Sequence, residues 1–262
     1  MKDKAIGVFD YGVSGLILVN ELNEMLPGEK IIYYSEKVEA EDLVKEKSTV
    51  TDYAAKSIKF LEEKDVKVIL SSNCEVNTVF GIKSPDTMTD YSGIFLPASQ
   101  AACVSARNNR IGVIGSSDII KRGGYARIIK NIKPGVMVTG ISCSYLNSLE
   151  KSSPSPDREK LLEETLKNIK SLSEEKTDTI ILADGAYLLI RDELREKLPA
   201  VTTLIFPHEE AAKYVYSNLM CSDCLSEREN TENNIVFCAE NNSLTDDECA
   251  KFVKRKSELI KI

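Results

Sequence analysis

The sequence has few or none of several features that would point directly to a function. It contains one histidine, His208, so a serine, histidine and aspartate triad must use that residue or be absent. No apolar run approaches the about 20 residues of a membrane-spanning helix. Lysine and arginine total 34 against 41 acidic residues, a net charge of -7, which argues against binding of nucleic acid. We therefore expect a small molecule or a protein as partner, with no nucleic acid and no membrane involved.

The cysteines indicate a reducing compartment. There are seven of them in 262 residues, and the first residues lead directly into a predicted strand rather than a signal peptide. An odd count without a secretory signal fits reduced thiols better than a disulfide framework, so we expect a cytoplasmic protein. Near the end, Cys221 and Cys224 form a C-x-x-C pair, whereas Cys238 and Cys249 do not. Zinc is therefore a weak alternative, and no metal is expected.

The chain alternates between short β-branched runs and longer segments of helical periodicity, as βαβ units with a parallel sheet do. The predicted strands are AIGVF, KIIYY, VKVIL, GIFLP, RIGVIG, VMVTGIS, DTIILADG, TTLIF and NIVFC. The loop 151–157 precedes a charged helix, with Ser155 or Asp157 as its N-cap. AIGVFDYG is similar to RIGVIGSS, and KVILSSN to TIILADG. Two explanations of these similar segments are equally good: an internal duplication, in which each half of the chain has a matching pair of strands, or chance similarity between buried strands.

Polar turns follow the predicted strands, where open α/β sheets bind their ligands. They contain Asp10, Ser72, Ser116 and Asp184, which would converge if the two halves faced each other. In FDYGVSG, residues 9–15, glycines let the backbone approach a carboxylate and a helix N-terminus favours an anion. The alternative is that Asp10 only caps the helix.

One thiol lies in such a turn. Cys74, in SSNCEVNT, follows a strand end, where a helix start would lower its thiol pKa and expose it. The more common alternative is a buried packing cysteine, and no histidine is close in sequence to activate the thiol. Cys103 and Cys143 have apolar or strand-like neighbours and are interpreted as structural. His208 is predicted to start a helix rather than to act as a base.

Together, these turns resemble the glutamate racemase family of cofactor-independent aspartate and glutamate racemases. IGVFDYGVSGL is similar to the family's FDSGVGGL, RIGVIGSSDIIKRGGY to its GVIGT turn and following helix, and GIFLPASQAA to its IEPA segment. The resemblance extends through ISCSYLNSLE to NIVFCAENNSLTDDECAKFV and so covers nearly the whole chain.

The resemblance implies an α/β fold of two pseudo-symmetric lobes, each a mostly parallel sheet flanked by helices, with the site in the cleft between them. The lobes would be residues 1–97 with 208–262, and residues 98–207. It also implies an isomerase that racemises a free amino acid with two opposed thiols and without a cofactor. A homodimer and a link to cell-wall peptidoglycan are further implications.

Both catalytic cysteines of the family are replaced at the aligned positions. The motif ACNTA aligns with residues 71–75, so Ser72 stands at the first cysteine and Asn73 is kept. A shifted alignment would bring Cys74 to that position but would break the match at Asn73. GCTHYP aligns with residues 183–188, so Asp184 stands at the second cysteine and the next histidine is lost.

Two further departures affect substrate contacts. Tyr11 replaces the serine after the retained Asp10, and the family's PYG segment falls on residues 41–43. The catalytic positions are accordingly Asp10, Ser72, Cys74 and Asp184. The expected substrate-binding residues are Tyr11, Asn73, Ser116 and Gly185.

These replacements predict that racemase activity is lost or altered. An unassisted serine hydroxyl is too weak a base for a Cα proton, whereas Asp184 could act if its pKa were raised. We expect a glutamate racemase-like protein that binds an acidic amino acid or a related carboxylate. The alternative is a ligand-sensing or scaffolding paralogue without catalysis, and hydrolase or lyase chemistry on a related carboxylate also stays open.

Overall fold

The chain folds into two compact units, each built on its own parallel sheet. The computed structural model describes residues 1–10, 13–36, 47–81, 83–149, 157–228, 234–240, 245–254 and 257–262. The first unit comprises Met1–Ile94 with Ala211–Ile262, and the second comprises Phe95–Glu210. Both are α/β, so the predicted fold class is confirmed.

The sheet of the first unit has six strands, numbered with the helices in chain order over the described residues. The strands are β1 (Ile6–Phe9), β2 (Ile31–Glu36), β3 (Val68–Ser71), β4 (Asp90–Gly93), β9 (Ile235–Glu240) and β10 (Ser257–Lys261). Their order is β10-β9-β2-β1-β3-β4, with every neighbouring pair parallel. The central strands β1 and β3 are buried at every position, as expected of a sheet covered on both faces.

Helices cover this sheet. They are α1 (Val13–Met25), α2 (Lys47–Glu63), α3 (Cys74–Phe80) and α11 (Asp246–Phe252), with α10 (Pro207–Cys221) crossing the boundary between the units. Leu61 and Ile58 of α2 and Val76 of α3 pack with Phe9 and Ile69 in one apolar cluster. This core fixes the ends of β1 and β3 next to each other.

The second unit has a four-stranded parallel sheet. Its strands are β5 (Arg110–Gly115), β6 (Met137–Ser142), β7 (Thr179–Leu182) and β8 (Thr203–Ile205), in the order β6-β5-β7-β8. Its helices are α4 (Phe95–Ser105), α5 (Ser117–Arg122), α6 (Gly124–Ile132), α7 (Ser144–Leu149), α8 (Arg158–Glu174) and α9 (Arg191–Lys197), with a 3-10 helix at Gly185–Ile190. Ile114, Leu182 and Tyr187 belong to its core cluster.

Two local predictions differ in outcome. GIFLP was predicted as a strand, which is wrong from residue 94 onward, because β4 ends at Gly93 opposite Ser71 and α4 begins at Phe95. Pro97 is tolerated in that first helical turn, where its missing N–H has no intrahelical partner to lose. The N-cap prediction for α8 is confirmed at Asp157, whose carboxylate accepts from Glu159 N and Lys160 N. Ser155 lies outside the described residues.

Among the described residues, no helix is long and apolar enough to cross a lipid bilayer.

Candidate functional site

Three polar residues meet where β1 and β3 end. These strands are neighbours, with Phe9 opposite Ser71, so the residues that follow them lie side by side. Ser72 Oγ donates to Asp10 Oδ2 at 2.5 Å, and Asn73 Nδ2 donates to Asp10 Oδ1 at 3.2 Å. All three residues are buried, at 2 to 3% exposure. Three of the predicted site residues therefore form one hydrogen-bonded group.

Asn73 has a second function in this group, because it caps α3. Its backbone is extended, and its Oδ1 accepts from Val76 N at 2.9 Å while its Nδ2 binds Asp10. An N-cap asparagine satisfies one of the N–H groups that a helix start leaves without a partner. The same side chain thus holds the helix start and orients the Asp10 carboxylate.

Cys74 is the first residue of α3, as the sequence predicted for a thiol at a helix start. It is half-buried, whereas Cys103 and Cys143 are buried. Its position just after the cap leaves the Cys74 thiol partly accessible, unlike the buried cysteines.

The backbone of Asp10 is fixed from the neighbouring strand. Asp10 N donates to Tyr34 O at 3.2 Å, and Tyr33 Oη donates to Asp10 O at 3.3 Å. A Cβ on Gly15 would lie 2.4 Å from Tyr33 Oη and 2.7 Å from Asp10 Cβ. The close approach of Tyr33 and Asp10 therefore requires glycine here, a packing reason that the sequence reasoning did not find. Gly12 and Tyr11 lie outside the described residues.

The second unit has its own set of polar groups at strand ends. Ser116 follows β5 and is buried, and its Oγ accepts from Ile119 N at the start of α5. Asp184 follows β7, and its Oδ1 accepts from Ala186 N at 2.9 Å, capping the 3-10 helix that begins at the buried Gly185. Since β5 and β7 are paired, Ser116 and Asp184 follow adjacent strands.

Asp184 has a perturbed carboxyl. Burial raises its pKa, and the N–H of Ala186 opposes that effect by stabilising the ionised form. The direction is the one that a carboxyl needs to accept and return a proton near neutral pH.

The sequence reasoning missed a polar network on the other side of β5. Asn147 Oδ1 accepts from Ser117 N at 2.7 Å, and Asn147 Nδ2 donates to Ser142 Oγ at 3.0 Å. The two hydroxyls of Ser117 and Ser142 are 3.2 Å apart. No sequence signal marks these three residues, because the pairing of β5 with β6 brings them together.

The remaining candidates, two cysteines and the histidine, are buried side chains. Cys143 is fully buried beside Tyr187 in the core of its unit, and burial raises the pKa of its thiol. Burial likewise raises the pKa of Cys103. Both support the structural interpretation. His208 is the second residue of α10, as predicted for a residue at a helix start, and its side chain is buried.

The C-terminal cysteines do not assemble into a metal centre in the part of the chain that is described. Cys221 is exposed, Cys224 is half-buried, and Cys238 and Cys249 are buried. Over those described segments, no group of three or more histidine, cysteine, aspartate or glutamate residues has a geometry that could hold a metal ion. All seven cysteines are described, and none forms a disulfide.

Comparison with solved structures identifies the class of fold, that of the glutamate racemases. A glutamate racemase from Bacillus anthracis matches with a TM-score of 0.78 at 20% identity, covering 100% of this chain and 98% of that one. Glutamate racemase from Francisella tularensis, solved in complex with D-glutamate, matches with a TM-score of 0.75 at 23% identity, with the same coverage. The predicted resemblance in fold is confirmed.

Sequence comparison then gives the family. Glutamate racemase of Oceanobacillus iheyensis is 31% identical over 215 residues, which is 80% of this chain and 77% of that protein. Glutamate racemase of Geobacter metallireducens is 27% identical over 239 residues, covering 90% and 88%. No family model matches the chain. At this level of identity and coverage, the chain belongs to the glutamate racemase family.

Proposed function

We propose that this family member binds glutamate or a closely related acidic amino acid and does not racemise it by the two-thiol route. The observation that carries the proposal is the 2.5 Å hydrogen bond from Ser72 Oγ to Asp10 Oδ2. Ser72 stands at the position that the motif alignment gives to the first catalytic cysteine of the family. A hydroxyl therefore replaces the thiol, and it is already engaged as a donor.

The hydrogen-bond directions in this group suit an ammonium group. Because Ser72 gives its hydrogen to Asp10, the remaining lone pairs of its oxygen are acceptors. The adjacent carboxylate of Asp10 adds negative charge. An α-ammonium group supplies the donors and the positive charge that such a group binds.

The start of helix α1 is a candidate binding site for the carboxylate of the amino acid. Helix α1 begins at Val13, shortly after Asp10, and the positive end of a helix dipole favours an anion. A ligand with an ammonium group and a carboxylate on the same carbon fits both features. The presence of D-glutamate in the Francisella tularensis structure supports an acidic amino acid as the ligand class.

The chemistry of the replaced residues argues against two-thiol racemisation. A thiolate removes a Cα proton because thiols ionise near neutral pH, whereas a serine hydroxyl without a histidine does not. The second aligned position holds Asp184, a carboxyl whose pKa is raised by burial. Because Asp184 aligns with a catalytic position of the family, residual proton exchange at Cα through Asp184 is the altered activity that we propose.

A sensing or scaffolding protein without catalysis is the other candidate. It requires the same ligand-binding group but no working base. The homodimer, the lobe boundaries and the link to peptidoglycan stay predictions from the family resemblance, and the cytoplasmic location stays a prediction from the cysteines and the first residues of the sequence.

Calorimetric titration with D- and L-glutamate and D- and L-aspartate tests the binding proposal. We expect saturable binding of glutamate that is weakened at least tenfold in Ser72→Ala and in Asp10→Asn, since each loses a charge-assisted hydrogen bond. Tyr216→Phe, an exposed change on α10, serves as the control. Absence of glutamate binding by the wild-type protein would contradict the proposal.

Incorporation of solvent deuterium at Cα, followed by mass spectrometry, tests the chemistry. We expect slow incorporation that Asp184→Asn abolishes and Cys74→Ala leaves unchanged. Loss in Cys74→Ala would instead assign the base to that thiol. Binding without any incorporation would favour the sensing protein.

A further inference from the structure

We propose that Asn77 is a positioning residue that orients Ser72 toward Asp10. This inference rests on the proposed function, because it assigns to Asn77 the geometry of the group that binds the amino acid. Asn77 lies on α3 and is 1% exposed. None of the family motifs considered above includes it.

The side-chain amide of Asn77 holds the backbone on both sides of Ser72. Its Nδ2 donates to Ser71 O at 2.9 Å and to Asn73 O at 2.7 Å. Ser71 O belongs to the peptide group that precedes Ser72, and Asn73 O belongs to the peptide group between Asn73 and Cys74. Holding the backbone at one point before and one point after Ser72 restricts the direction in which the Ser72 side chain leaves the backbone, and that direction determines whether its hydroxyl reaches Asp10.

The space for this amide depends on Gly93. A Cβ on Gly93 would lie 2.0 Å from Asn77 Oδ1 and 2.8 Å from its Cγ. Gly93 is the last residue of β4 and pairs with Ser71 of β3. The strand next to Ser72 therefore leaves a gap that the amide of Asn77 fills, so its position is set from three sides.

A role only in forming α3 does not account for this arrangement. The helix is already capped by Asn73, and asparagine is a poor residue inside a helix because its side chain competes for backbone groups. Burial of an amide is costly unless its donors are used. Here both donors are spent on the turn that contains Ser72, whereas an apolar residue would have packed the same position without that function.

Two variants at this position separate positioning from packing. Asn77→Ala removes both hydrogen bonds to the turn. Asn77→Ser keeps a hydroxyl that can donate to Asn73 O, four residues back in the chain, but cannot reach both carbonyls. We expect glutamate affinity, measured by calorimetry, to fall roughly tenfold in Asn77→Ala and by an intermediate factor in Asn77→Ser.

A double-mutant cycle shows whether the effect passes through Ser72. In the Ser72→Ala background, Asn77→Ala should cause no further loss of affinity, because there is no hydroxyl left to orient. Ile58→Val, a change in the apolar core of the same unit, is the control for a general loss of stability. An equal loss of affinity from Asn77→Ala with and without Ser72 would overturn the inference, as would an equal loss in Ile58→Val.

Crystal structures of the wild-type protein and of Asn77→Ala without ligand test the same inference independently of glutamate. We expect the Ser72 Oγ to Asp10 Oδ2 hydrogen bond to be present in the wild type and broken in Asn77→Ala. Its retention in Asn77→Ala would overturn the inference. If the wild type does not bind glutamate and the bond still breaks, the proposed function fails while the positioning role of Asn77 stands.

Discussion

Lys67 Nζ lies 2.6 Å from Glu29 Oε2, and both side chains are buried almost completely, at 0 and 2% exposure. Around this pair, Lys67 also donates to Cys224 O at 2.8 Å, and Glu29 Oε1 accepts from Ser226 N at 2.8 Å. The pair therefore ties the segment after α10 to residues that precede β2 and β3. Its importance is for stability, because Lys67 precedes β3 whereas Ser72 of the Asp10 group follows the other end of that strand.

Lys67→Met should be among the most destabilising substitutions in the first unit. Removing one partner of a buried ion pair leaves the other charge without compensation, at a cost of about 3 to 5 kcal/mol. Lys4→Met breaks the exposed pair with Asp65 and should cost about 1 kcal/mol or less. Urea denaturation measures both. Equal free energies of unfolding for the two variants would contradict the prediction.

Adding Glu29→Gln to Lys67→Met should recover part of the lost stability. The amide removes the stranded charge, and its oxygen still accepts from Ser226 N. If the double variant is no more stable than Lys67→Met, the cost arises from lost packing of the lysine stem and not from the buried carboxylate.

Gly93→Ala should destabilise the protein by about 1 to 3 kcal/mol, the usual cost of forcing an atom into a filled space. Its methyl group would lie 2.0 Å from Asn77 Oδ1. Gly135→Ala is the matched control, because nothing lies within 4 Å of the Cβ added there. The Asn77→Ala background should suppress most of the cost of Gly93→Ala. Thermal and urea unfolding of the four combinations at residues 77 and 93 provide the test.

The sequence was sufficient to predict the α/β class and the polar turns, because both depend on local patterns. Apolar runs mark β1 and β3 as covered on both faces, and Ser72 and Asp10 come directly after them. The register could not be predicted, since the pairing of Phe9 with Ser71 is a tertiary property. That pairing turns two separate motifs into one hydrogen-bonded group.

The features that were missed depend on partners distant in the sequence. In the sequence, nothing distinguishes Asn77 from other residues of a helix. Its role follows from the fold, in which β4 brings Gly93 next to it. Likewise, the hydrogen bonds of Asn147 to Ser117 and Ser142 depend on the pairing of β5 with β6. The C-terminal strand β10 has mixed polarity and is largely exposed, so the alternation that marks a half-buried strand is weak in its sequence.

Asp184→Asn should stabilise the protein at neutral pH. A carboxyl whose pKa is raised by burial favours folding while it is protonated, and this contribution is lost as the pH rises through the folded pKa. Asparagine avoids the cost of burying the charge and still caps the 3-10 helix by accepting from Ala186 N. The gain in stability should disappear when the pH falls below 3.8, the ordinary pKa of an aspartate carboxyl.

Melting temperatures of wild type and Asp184→Asn between acid and neutral pH measure this difference. Glu196→Gln, an exposed change on α9 of the same unit, is a control for general loss of negative charge. A gain that is constant over the whole range would contradict the assignment to titration of Asp184.

Alkylation of the native protein should distinguish the cysteines by accessibility. We expect Cys221 to react first, Cys74 and Cys224 more slowly, and the buried cysteines, which include Cys143 and Cys238, only on unfolding. Burial also raises the pKa of the Cys143 and Cys238 thiols, which further reduces their reactive thiolate. Alkylation with iodoacetamide, stopped at set times with excess dithiothreitol and followed by peptide mass spectrometry, gives each rate.

Glutamate should slow the alkylation of Cys74 without affecting Cys221. Cys74 begins α3 directly after Asn73, so a ligand bound to the Asp10 and Ser72 group restricts access to its thiol, whereas Cys221 is at the far end of α10. Protection should be lost in Asp10→Asn, which binds the ligand weakly. Protection of both thiols alike would indicate a general loss of mobility, and a Cys74 rate as low as that of Cys143 would show that the thiol is a packing residue after all.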